Sequence, residues 1–232
     1  MHIVEFLQQL SLNGPHDGPA ATVRPGEPAF DRYFRRLFAE IGSHWNAAQY
    51  ALACLTNFGV QQLSMRNTPN EGNQMFLQIG CVDGSDFGAA MVRSTSVKGH
   101  LLPLGCDQAG LAPSLDSLAR PPTRFPRSLS LSPTYSHELV DEYLARTEPC
   151  LGFVALVCLG EPDHYLGALR ATWARLHDHA DLIVMASPVT LGRILKRDTA
   201  THVRSFPNQD AGLGLAVVQK RRVDYSKLLD AP

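Results

Sequence analysis

Leu151-Gly-Phe-Val-Ala-Leu-Val-Cys-Leu159 is an apolar run that leads into Gly160-Glu-Pro-Asp163 and an amphipathic segment ending at His179. A second apolar run, Asp181-Leu-Ile-Val-Met-Ala186, follows and meets Ser187-Pro188. This alternation predicts strand, helix, strand: the βαβ unit of a parallel sheet. Such sheets place their binding crevice just beyond the carboxyl ends of the strands.

Working outward, Pro188 opens a further helix with Leu191, Ile194 and Leu195, and Leu213–Gln219 reads as a last strand. Upstream, Phe30, Tyr33, Phe34, Leu37, Phe38 and Ile41 recur at helical spacing. Gly42 and Ser43 then suit a helix stop and an N-cap, and a second helix ends near Phe58-Gly59. Residues 61–66, 74–82 and 88–94 read as an antiparallel meander, with turns at residues 67–73 and 83–86. The expected class is α/β or α+β: an N-terminal helical hairpin plus antiparallel meander, then a small C-terminal layer containing the βαβ unit. Three segments follow from this: 1–98, a Pro-rich irregular connection over 99–133, and 134–232. Whether the halves share one sheet is left open.

The totals exclude some classes. The 232 residues carry a net charge of −1 and 44% hydrophobic side chains, ordinary for a globular protein. There is no basic footprint of the kind nucleic-acid binders carry, so none is expected as a partner. No apolar run is long enough to span a bilayer, and the N-terminus lacks a signal-peptide pattern. The five cysteines include no CxxC pair, which argues against a disulfide framework or structural zinc and for the cytoplasm. The preponderance of arginine among the basic residues suits a GC-rich, bacterial genome.

Candidate chemistry concentrates beyond the two parallel strands. Glu161, Asp163 and His164 follow the first strand, and Ser187 and Thr190 follow the second. Side by side, they would bring a carboxylate, an imidazole and a hydroxyl together, with two helix N-termini that favour an anion. Each also has a structural role to hand, since Asp163 and Ser187 are good N-cap residues. His177-Asp178-His179 is expected at a helix C-terminus, where cationic histidine is favoured, at the end of the sheet opposite the crevice. Cys158 lies within an apolar strand and reads as an inert core thiol.

Other patterns narrow the field. Gln209-Asp-Ala-Gly212-Leu-Gly214 resembles the pyrophosphate loop of GNAT-type acetyltransferases, but a strand follows it where that family requires a helix. Arg93-Ser-Thr-Ser96 is similar to the Ser-Thr-Ser of ADP-ribosyltransferases, without their Glu-x-Glu partner. The tract from Asp181 resembles the penultimate strand and last helix of universal stress proteins, which implies an α/β sheet. Ser187-Pro-Val-Thr190 stands where that family's ATP-cradling glycines belong, which argues against ATP. Walker A, GxGxxG, GxSxG, HExxH and EF-hand patterns are missing.

The expectation is therefore a cytoplasmic, non-catalytic accessory protein that binds a protein partner, a second copy of itself or a small ligand. Phe30, Phe34 and Phe38 are its candidate partner face, and no cofactor or metal is expected. The alternative is an enzyme of unrecognised type acting on a small anionic substrate in the crevice after residues 152–159 and 182–186.

Overall fold

The computed structural model describes residues 47–66, 74–81, 97–104, 129–131, 151–159, 162–194, 202–205 and 213–220. The elements in chain order are α1 (Ala47–Arg66), β1 (Met75–Ile79), β2 (Gly99–Leu102), β3 (Leu129–Leu131) and β4 (Leu151–Cys158). α2 (Pro162–Arg175), β5 (Leu176–Ala186), α3 (Pro188–Ile194), β6 (His202–Ser205) and β7 (Gly214–Gln219) complete them. The seven strands form one sheet in the order β3-β2-β1-β4-β5-β7-β6. Strands β1 to β5 pair in parallel. β7 runs antiparallel to both β5 and β6. The open question of one sheet or two is answered: strands from both halves lie in the same sheet.

The expected βαβ unit is present, formed by β4, α2 and β5. Every residue of β4 is buried. Its run is continuously apolar because both of its faces are covered. On one face Tyr165, Leu169 and Trp173 of α2 pack with Val154, Leu156, Leu182 and Val184. On the other, the Phe153 ring stacks on Phe76 of β1 with centroids 5.4 Å apart and sits beneath Gly59 of α1.

That contact explains a difference from the sequence reading. Gly59 does not stop the helix, and residues 61–66 are helical rather than a strand. A Cβ on Gly59 would lie 2.3 Å from the Phe153 ring, so glycine is there for close approach. Val60 and Leu63 continue the buried helical face. At the end of α1, Arg66 donates to the His179 carbonyl at 2.9 Å and so ties the helix to β5.

The antiparallel meander is corrected as well. β1 pairs with β2 in parallel, Phe76 opposite Gly99 and Ile79 opposite Leu102. Parallel partners need a long crossover rather than a tight turn, and the chain between Ile79 and Gly99 has the length for one. The first expected helix and residues 88–94 lie outside the described residues. The 99–133 stretch contributes β2 and β3 to the sheet. His177-Asp178-His179 does not end a helix; it opens β5, where Leu176 already pairs with Leu151. The helix C-terminus is served instead by Arg175, which donates to the Ala171 carbonyl at 2.9 Å.

Two outcomes follow. Gly59→Ala gains helix propensity, about 1 kcal/mol, but drives a methyl into an aromatic ring, an overpacking cost of about 1–3 kcal/mol. The ring is fully buried and stacked on Phe76, so the variant is expected to melt several degrees lower, and adding Phe153→Leu to recover part of the loss. Burial of His100 in β2 holds its imidazole below the usual histidine range. The unfolded chain therefore takes up this proton first as pH falls below about 6.5. Stability falls from there toward the depressed value and levels off below it. Urea midpoints measured from pH 5 to 7.5 show that slope, and His100→Phe reduces it.

Candidate functional site

The strand order fixes where a ligand can enter. From β1 the chain moves outward to β2 and β3, then returns to the other side of β1 as β4. In open parallel sheets the ligand crevice is expected above the carboxyl ends of the strands at such a reversal of order, here β1 and β4. Ile79-Gly80-Cys81 forms one wall of this switch point and Cys158-Leu159 the other. Ala186-Ser187 at the end of β5 flanks it.

Gly80 is the tightest point. Its φ is +76°, a conformation side-chain-bearing residues rarely adopt. A Cβ there would lie 2.2 Å from the Val157 carbonyl oxygen of β4 and 3.4 Å from that of Leu104. The Gly80 N–H donates to the Leu102 carbonyl at 2.8 Å, and the buried Gln78 Nε2 donates to the Gly80 carbonyl at 3.1 Å. The Leu104 N–H also donates to the Leu102 carbonyl, at 2.8 Å. The chain leaving β1 is thus clamped between the ends of β2 and β4. Glycine is required there for the close approach of β1 to the β4 backbone.

Cys81, directly after Gly80, is buried and disulfide-bonded. This corrects the expectation drawn from cysteine spacing. Cys54 and Cys158 are free and buried. Burial pushes the Cys158 thiol far above its ordinary range, which keeps it protonated and unreactive.

The residues expected at the site are distributed unevenly. Ser187 Oγ accepts from the Thr190 N–H at 3.1 Å and bonds the Thr190 hydroxyl at 2.8 Å. Ser187 is therefore the N-cap of α3, and both hydroxyls are engaged with each other. The backbone of Asp163 and His164 lies in the first turn of α2, at the carboxyl end of β4. Glu161, and the partner-face residues Phe30, Phe34 and Phe38, lie outside the described residues. Leu159 and Val189 are exposed apolar side chains at this end of the sheet. His177 and His179 sit at the opposite end, and no group of three candidate metal ligands occurs among the described residues.

Sequence reasoning put the crevice at the carboxyl ends of the strands but took β4 and β5 as its walls. It missed β1. The available signal was Gly80-Cys-Val-Asp-Gly84, two glycines closing a buried strand. Reading residues 83–86 as a hairpin turn concealed it.

No family model and no curated protein sequence matches the chain. Solved structures do. The cofactor-bound Rv0187 protein from MTB superposes with a TM-score of 0.53 at 12% identity, covering 86% of this chain and 99% of that one. An rRNA methylase from Streptococcus thermophilus gives 0.48 at 15% identity, covering 70% and 94%. A protein from Streptococcus mutans assigned as a methyltransferase, in complex with SAH, gives 0.48 at 13%, covering 70% and 95%. The likeness to the MTB protein shows the fold, a Rossmann-like α/β sheet.

Two expectations are corrected by these findings. The non-catalytic accessory protein with a protein partner is not carried forward: the chain shares the fold of the cofactor-bound MTB protein, and the enzyme alternative is the one taken up below. The expectation that nucleic acid is excluded is withdrawn as well. No described helix is long and apolar enough to cross a membrane.

Gly80→Ala is expected to cost about 2–4 kcal/mol, since it adds left-handed strain to a collision with backbone that cannot rotate away. Urea unfolding measures this directly. An effect within about 0.5 kcal/mol, the ordinary surface range, would mean the clamp is absent.

Proposed function

We propose that this protein is a methyltransferase that binds S-adenosylmethionine in the crevice between β1 and β4. The observation carrying the reading is the Gly80 clamp at the switch point of a sheet whose fold is shared with a cofactor-bound structure. Bound there, the cofactor would supply an activated methyl group on a sulfonium and leave as the neutral thioether SAH.

The chain's own residues fit that task in three respects. Gly80 lets the ends of β1 and β4 close on each other, which would set the floor of the crevice. Leu159, exposed at the end of β4, offers apolar surface to a flat ring or an aliphatic stem. Glu161, Asp163 and His164 follow β4 in the sequence and are the proton acceptors we propose. A carboxylate or imidazole there would take the proton from the attacking hydroxyl or nitrogen. Ser187 and Thr190 serve the start of α3, not the chemistry. The cytoplasm is the location we propose.

Isothermal titration with SAH tests this. The expected result is one site with a dissociation constant within the range of about 1 μM to 1 mM usual for enzyme ligands. Absence of binding up to millimolar SAH would overturn the reading. Once an acceptor is identified, His164→Ala should lower kcat about 10²–10⁴-fold while leaving SAH affinity intact, the pattern of a lost proton acceptor.

A further inference from the structure

Resting on the methyltransferase reading, we infer that Gln78 is a positioning residue: its side-chain amide holds the Gly80–Cys81 peptide in one orientation at the floor of the cofactor crevice and so sets cofactor affinity. Gln78 breaks the apolar pattern of its sheet. It lies opposite Leu101 of β2 on one side and Ala155 of β4 on the other. Ala155 in turn lies opposite Ile183 of β5, and Ile183 opposite Val217 of β7. Residues paired in this way share a face of the sheet, here the face that α1 covers: Phe76, two residues before Gln78, stacks on Phe153 beneath Gly59. All five residues of the row are fully buried, and Gln78 is the polar one among them. An apolar side chain of like shape would serve the packing better. Departures of this kind are expected where a fold serves a site.

The amide is directed at the turn that ends β1. Gln78 Nε2 donates to the Gly80 carbonyl at 3.1 Å. The other side of Gly80 is fixed independently: its N–H donates to the Leu102 carbonyl at 2.8 Å, and its Cα is pressed against the Val157 carbonyl of β4. The peptide that follows is the part Gln78 secures. Because a trans peptide is planar, with its N–H opposite its C=O, fixing the Gly80 carbonyl toward Gln78 also fixes the direction of the Cys81 N–H.

Glycine at φ +76° is next to a peptide that rotates with little steric hindrance. Released from the amide, the Gly80 carbonyl turns toward crevice water, since a polar group kept from water without a partner is costly. The turn exchanges donor and acceptor directions in that peptide. Molecules in the turned state lack the original crevice floor, and apparent affinity falls by the fraction that retains it. Gln78 thus acts on the cofactor through the Gly80–Cys81 backbone, without touching it.

SAH titration, urea unfolding and amide NMR of the wild type and Gln78→Met test the inference. Methionine keeps the length of the side chain and cannot donate. The expected result is a urea midpoint at or above that of the wild type, with SAH affinity about tenfold weaker. The Gly80 and Cys81 backbone resonances broaden through exchange of the peptide, while those of residues 215–218 in β7 are unchanged. Wild-type affinity in the folded variant, or an affinity loss that comes with a lowered midpoint, would overturn the inference. Should Gln78→Met not fold, the wild type decides. Coupling is reciprocal, so SAH must strengthen the Gln78–Gly80 bond and slow hydrogen exchange of the Gln78 side-chain amide; exchange unchanged by saturating SAH would overturn it. A wild type that does not bind SAH would instead overturn the methyltransferase reading and this inference with it.

Discussion

β4 has no free face, and the rest of the structure is arranged around that constraint. α2 covers one side through Tyr165, Leu169 and Trp173, and α1 approaches the other closely enough that Gly59 rests on the Phe153 ring. A strand enclosed in this way must be bordered by strands on both edges, and here they are β1 and β5. The border with β1 is the consequential one, because the chain's direction of travel across the sheet reverses there. Closure of the core and placement of the crevice are thus two results of one packing arrangement.

The same end of the sheet separates structural polar groups from those free for chemistry. Ser187 and Thr190 satisfy each other and the start of α3. Gln78 is spent on the Gly80 carbonyl. At the other end, Asp181 accepts from Gln219 at 2.8 Å and stands 4.0 Å from Arg66, so that carboxylate joins β5 to β7 and α1. What the described residues leave at the crevice is clamped backbone, exposed Leu159 and the start of α2.

The legible part of the fold was the part whose local pattern and tertiary role agree. β4, α2, β5, α3 and β7 announced themselves because long apolar runs bounded by Gly-Glu-Pro-Asp and Ser-Pro admit few other readings. β1 was legible as a strand but not in its direction, since short strands carry no mark of parallel or antiparallel pairing. Gly59 misled because a glycine that permits close packing and one that ends a helix look the same in sequence. Gly80 was overlooked for a related reason: its meaning comes from the Val157 carbonyl of β4, which is distant in the chain. β2 and β3 are short strands in a Pro-rich stretch, and only the sheet reveals them.

Amide hydrogen exchange with and without SAH tests the central claim, that the β1–β4 switch point is the cofactor site. The account predicts added protection at Gly80 and Cys81 and at Leu159, with residues 176–179 at the opposite end of the sheet unchanged. Protection confined to that opposite end, or none at the ends of β1 and β4 under saturating SAH, would contradict it.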